Sequence, residues 1–120
     1  MTSKGASILF DHLNKHKSIL AKINLNDCQM DDECIESLGN YIKNNEYIEI
    51  ICLGNYLQGN NKITDKGIEI LSNYLIGNKT FKELMLNKNK GITDKSIPFL
   101  MKMIETSHII DIYRNNFNYR

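Results

Sequence analysis

Apolar residues return along this chain at offsets that repeat three times. Ile35, Leu38, Ile42 and Ile48, with Asn45 among them, match Ile68, Leu71, Leu75 and Phe81 with Asn78, and then Ile97, Leu100, Ile104 and Ile110 with Ser107. Steps of three and four put the first three members of each set on one helix face. The pattern predicts helices near 32–44, 65–77 and 94–106. A looser set, Leu9, Leu13, His16 and Ile19, fits with one residue of slippage and predicts a first helix near 4–16. Each helical half runs into a short stretch with apolar residues two apart: Ile23 and Leu25, Ile51 and Leu53, Leu84 and Leu86. That period belongs to a strand with one buried face, and it predicts strands near 21–25, 49–53, 82–86 and 110–114. A helix returns the chain between successive strands, so the four are expected to be parallel.

From Leu25 to Leu53 the step is 28 residues, and from Leu53 to Leu86 it is 33. The five additional residues are Tyr56-Leu57-Gln58-Gly59-Asn60, in the loop that leaves the second strand. Behind each strand comes Asn or Cys and then an apolar residue: Cys28 and Met30, Asn61 and Ile63, Asn89 and Ile92. Helix starts are marked by Asp31-Asp32, Thr64-Asp65 and Thr93-Asp94. Their oxygens suit the unpaired N–H groups and positive end of a first turn. Recurrence in every unit makes a cap the better reading of Asp31-Asp32-Glu33 than a metal site. Tyr41 and Tyr74 repeat as packing residues whose hydroxyls are expected to reach water.

The unit reads L-x-x-L-x-L-x-x-(N/C)-x-L followed by a helix, which is the signature of a leucine-rich repeat. With its 28-residue step, Cys28 at the Asn position, and "ITDKGI" at 63–68 echoed by "ITDKSI" at 92–97, the chain resembles the ribonuclease-inhibitor-like class. That class also includes the repeat regions of Ran GTPase-activating proteins, NOD-like receptors and tropomodulins. The resemblance covers residues 6 to 114. It implies an α/β fold: a right-handed solenoid, a short arc of about four strand-helix units with the parallel sheet on the concave face and helices on the convex face. It divides residues 1–120 into one domain: a half-unit 4–20, repeats at about 21–48, 49–81 and 82–109, and a terminal strand and tail 110–120. It further implies a non-enzymatic protein-binding scaffold, usually intracellular; the alternative is a fragment or regulatory subunit of a larger signalling or cytoskeletal protein that grips through loops and ends.

Composition narrows the partners. The 120 residues carry 15 Lys plus Arg against 14 Asp plus Glu, a formal charge of +1, so no field favours nucleic acid or an anionic membrane. The apolar stretch before Asp11 and His12 is too short for a signal peptide or a membrane span, and a cytoplasmic protein is expected. Cys28, Cys34 and Cys52 form an odd set and read as free thiols, and Cys28 is expected to be buried, a small thiol serving at its repeat position as well as Asn. The triplet Asn78-Lys79-Thr80 sits where Asn45 sits one unit earlier, so its role is to close a helix rather than to carry a glycan. His12 and His16 stand four apart without a third ligand and read as solvated. No nucleophile constellation or phosphate-binding loop is visible, so neither an enzyme nor a cofactor is expected.

The expected contact surface alternates with the buried strand residues. It comprises Lys22, Asn24 and Asn26, then Ile50 and Cys52, then Glu83, Met85 and Asn87. Ile50, Cys52 and Met85 would form an apolar centre inside a polar rim. The alternative surface is the loop pair Tyr56 and Leu57. Arg114 and Arg120, the only arginines, are the side chains that an enzyme activator would insert into a partner's active site. At the C-terminal end, the strand at 110–114 has no further repeat to pair with. Phe117 and Tyr119 are expected to fold the tail 115–120 against the last helix as a cap. A monomer is expected, with a homodimer paired through that edge as the alternative.

Overall fold

A computed structural model describes residues 1–43, 45–56, 61–109, 111–114 and 117–119, with 113, 114 and 117–119 described by backbone alone. In chain order the elements are α1 (Ser3–Lys15), β1 (Lys22–Asn24), α2 (Asp32–Lys43), β2 (Ile50–Cys52), α3 (Asp65–Leu75), β3 (Glu83–Met85), a 3-10 turn (Asp94–Ser96), α4 (Ile97–Thr106), β4 (Asp111–Arg114) and β5 (Phe117–Tyr119). Helices therefore alternate with strands as the two periods require, and the predicted helix bounds hold to within about two residues except that the first three residues of the last helix, Asp94–Ser96, form a 3-10 turn. Ile110, placed in the last strand by its sequence, lies outside the described residues.

The first four strands pair in chain order, every pair parallel. Register is set by the buried row Ile23, Ile51, Leu84 and Ile112, which stand side by side across the sheet. Slipping any strand by one residue would turn its apolar set to the other face. Beneath this row the helices contribute Ile35, Leu38, Ile42, Ile68, Leu71, Leu75, Leu100 and Met103 to a single buried cluster.

Polar side chains stitch one unit to the next. The Asn61 side chain donates to the carbonyls of Leu25 and Leu53 and accepts from the N–H groups of Cys28 and Met30, while Asn89 donates to Leu53 and Leu86. Buried carbonyls that no strand partner reaches are satisfied in this way. Helices close as the sequence expects: Asn45 accepts from the N–H groups of Tyr47 and Ile48, and Asn78 repeats this with Thr80 and Phe81.

Three expectations are corrected. Cys28 is only half-buried, its thiol donating to the Asn26 carbonyl at 3.3 Å in place of the two N–H groups an Asn would offer. The Tyr41 hydroxyl does not reach water: the residue is 0% exposed, with its oxygen 3.3 Å from Ser18 Oγ and accepting from Asn45 Nδ2 at 3.1 Å. The tail does not leave the last parallel strand open, because β5 pairs antiparallel with β4, Ile112 facing Tyr119 and Arg114 facing Phe117. It caps the sheet edge by backbone pairing, and this occupies the edge through which a β4-paired homodimer would form.

Candidate interaction surface

On the sheet face opposite the helices, side chains stand in rows fixed by the register. The first row is Lys22, Ile50, Glu83 and Asp111, each directly preceding a member of the buried row. The next is Asn24, Cys52, Met85 and, by backbone position, Tyr113. A further row follows the strands: Asn26 accepts from the Gly54 N–H at 2.7 Å, and the Asn87 carbonyl accepts from the Asn55 N–H at 2.8 Å. All eight residues expected on this face are therefore brought together on it.

Their exposure differs from the expected apolar centre. Lys22 and Asn24 are exposed, and Asn26, Ile50, Glu83 and Met85 are half-buried. Cys52 is 2% exposed and Asn87 7% exposed, so neither projects into solvent. Strands stand about 4.8 Å apart, and the short Cys52 side chain is covered by its longer neighbours, with Met85 Sδ 3.5 Å from its sulfur. Burial pushes the Cys52 thiol above its ordinary pKa; nearby Lys22 opposes this and Glu83 adds to it. Burial also raises the Cys34 thiol. Both are held as neutral thiols, the unreactive form.

Charge along the first row is polarised. A cation at β1 is followed by an apolar residue at β2 and two carboxylates at β3 and β4. Asp111 was missed as a site residue, although its offset from Ile112 equals that of Glu83 from Leu84. Beside the row, Lys82 and Glu49 form an exposed ion pair at 3.3 Å.

Tyr56 joins this face to the loop behind β2. It is 52% exposed, its N–H is held by the Asp27 carboxylate at 3.1 Å, and its hydroxyl lies 3.5 Å from Asn87 Oδ1. Leu57 and Arg120 lie outside the described residues, and Arg114 is placed on β4 by backbone alone.

Beyond these loops, helix starts are tied together by residues read from sequence as local caps. Asp31 does cap its own helix, accepting from the Cys34 N–H at 3.2 Å. Asp32 instead reaches the next unit, accepting from the Thr64 N–H at 2.9 Å and from the Thr64 hydroxyl. Asp65 does the same to Thr93, at 2.8 and 2.6 Å, and also accepts from the Ser96 hydroxyl. An Asp at the matching place of each unit, Asp32 and Asp65, was the available signal, but its partner is some thirty residues away and local pattern cannot name it. The His12 and His16 rings lie 4.2 Å apart on α1, and among the described residues no group of three His, Cys, Asp or Glu gathers to hold a metal. No helix among them is long and apolar enough to cross a membrane.

Neither a family model nor a curated protein matches this chain.

Proposed function

We propose that this chain is a small cytoplasmic leucine-rich-repeat scaffold, a right-handed solenoid of the ribonuclease-inhibitor-like kind, that binds a protein partner on the sheet face opposite its helices. The observation that carries this reading is the row Lys22, Ile50, Glu83 and Asp111: one cation, one apolar residue and two anions in line across four strands. Aligned charges of opposite sign select a partner by complementarity and orient it. The partner that fits carries an acidic group over β1 and basic groups over β3 and β4. Half-buried Ile50 and Met85 supply the apolar contact between them. With a formal charge of +1 the chain has no field for nucleic acid, and its buried thiols are not built for nucleophilic chemistry.

Tyr56 favours a second reading in part. An exposed aromatic ring held at the margin of the same face extends the contact onto the loop, as binding through loops and ends would require. Both readings are tested together. Affinity capture from the native cell identifies the partner with wild type, and binding of that purified partner is then measured for Lys22→Glu, Glu83→Lys and Tyr56→Ala. Loss with the first two variants supports the sheet face, and loss with Tyr56→Ala alone moves the site to the loop. Wild-type affinity in all three overturns both readings. Cys52→Asp is unsuitable as a probe, because it would bury a carboxylate and unfold the site.

A further inference from the structure

The two ends of the sheet are finished differently. At one end β5 covers β4; at the other, β1 is the first strand in the sheet order and pairs only with β2 among the described residues. Core exposure follows the same asymmetry. Leu20 is 46% exposed, whereas its counterparts three residues before the buried row, Ile48, Phe81 and Ile109, are 0%, 0% and 6% exposed. Ile23 and Leu25 retain 8% and 6% exposure where Ile51, Ile112, Leu53 and Leu86 retain none. Beside Leu20, Ile19 is 72% exposed. Both β1 and β5 are edge strands, but the apolar spine is covered at β4 and open beside β1, where Leu20 lies.

Backbone polarity decides what fits there. Ile50 N–H donates to the Ala21 carbonyl and Leu25 N–H to the Cys52 carbonyl, so Ala21, Ile23 and Leu25 direct their backbone groups at β2. By the alternation of a strand, Lys22 and Asn24 direct theirs outward. Two outward-facing residues spaced by one form a self-complementary edge. A second copy laid antiparallel about a two-fold axis through Ile23 sets Lys22 opposite the partner's Asn24, each pair exchanging both backbone bonds, while the two Ile23 meet as the close non-hydrogen-bonded pair. This register keeps the two lysines apart. Centring the axis on Lys22 would set like charges face to face.

We infer that the open β1 edge is a homodimer interface, in which two copies pair antiparallel through Lys22–Asn24, bring their Ile23 side chains together and cover each other's exposed Leu20. The axis is perpendicular to the sheet, so both copies present the helix-free face to the same side as one continuous sheet of two five-stranded halves. The monomer expected from sequence rested on the C-terminal edge alone. The inference does not depend on the identity of any protein partner.

Sedimentation equilibrium of the 120-residue chain tests this without a ligand. Wild type is expected at about twice its 13.9 kDa mass, dissociating on dilution. Lys22→Pro removes an outward N–H at the first position of an edge strand, where proline is tolerated and no bond to β2 is lost. Leu20→Glu places a carboxylate on the exposed apolar end without entering the core. Both are expected to sediment at 13.9 kDa, and circular dichroism melts establish that each is folded; should Lys22→Pro not fold, Leu20→Glu carries the test. A wild type that stays monomeric at every concentration overturns the inference. So does a dimer undiminished in a folded variant.

Discussion

The seam between α2 and α3 and the seam between α3 and α4 follow one plan with different side chains. In the first, the Tyr74 ring lies against Gly39, where a Cβ would come within 2.2 Å of Cδ2, and the Asp32 carboxylate lies against Gly67, where a Cβ would come within 2.3 Å of Oδ1. In the second, the corresponding positions hold Ser72 and Met103, both fully buried, and Ser96, whose hydroxyl donates to Asp65. One seam is a rigid ring seated on a missing side chain; the other uses a flexible thioether and small hydroxyls. A ring against bare backbone has no way to give, whereas methionine adapts its three torsions to the space offered. The repeat thus preserves backbone spacing while its tolerance to change differs from one seam to the next.

The largest effect should come from striking both seams at once. Leu71 is fully buried on α3, between the two, and Leu71→Ala should cost about 2–5 kcal/mol in a denaturant titration. A loss below about 1 kcal/mol would mean that the seams do not share one core.

A sharper contrast lies in Gly39→Ala against Ser72→Ala. Alanine in a helix interior is normally better than glycine by about 0.5–1 kcal/mol. At Gly39 the Tyr74 ring must be displaced, and its hydroxyl gives up contact with the Glu36 carboxylate at 3.3 Å. A net loss of about 1–3 kcal/mol is expected, as for an overpacked core. Ser72→Ala removes only the hydroxyl's bond to the Glu69 carbonyl within the same helix, and should stay within about 0.5–1 kcal/mol of wild type. Equal costs at the two positions would erase the distinction between the seams.

The smallest effect is electrostatic. Partial burial disfavours the ionised Asp65, but hydrogen bonds from Ser96 and Thr93, with Lys95 nearby, outweigh it and hold the carboxyl below its ordinary pKa. A carboxyl lowered in the folded state stabilises the fold above the unfolded value of about 3.9, and that contribution is lost as pH falls through the folded value. The site is open to solvent, so the contribution is modest. Between about pH 6 and about pH 2.5, the melting temperature of Asp65→Asn should fall less than that of wild type. Parallel curves would mean that the second seam gains nothing from the charge.

Sequence period was sufficient for what depends on neighbours three or four residues apart. The helix faces, the closing Asn45 and Asn78, and the capping Thr64 and Thr93 all act locally, so spacing alone announces them. The features that escaped it depend on what folding brings near. Asp32 and Asp65 resemble first-turn acids, and only the stacking of units reveals that each serves the next helix. Cys52 alternates correctly for the open face, yet side-chain length decides burial there, and a short thiol sinks between longer neighbours. Asp111 was legible and overlooked, since it holds the offset of Lys22, Ile50 and Glu83. Strand β5 gave little signal because an antiparallel return of three residues needs no period, only a free edge beside it.

The carboxylates that tie successive helix starts together also give the molecule a direction. Thr64 finds its acceptor in Asp32 and Thr93 finds its acceptor in Asp65, so the starts of α3 and α4 are each completed by the unit synthesised before it. A chain growing from its N-terminus meets both of these acceptors already in place, and α3 and α4 can each be nucleated on a finished template. Shortening the molecule from its C-terminus leaves these upstream ties intact, whereas removing a unit from its N-terminus leaves the following helix to begin without one.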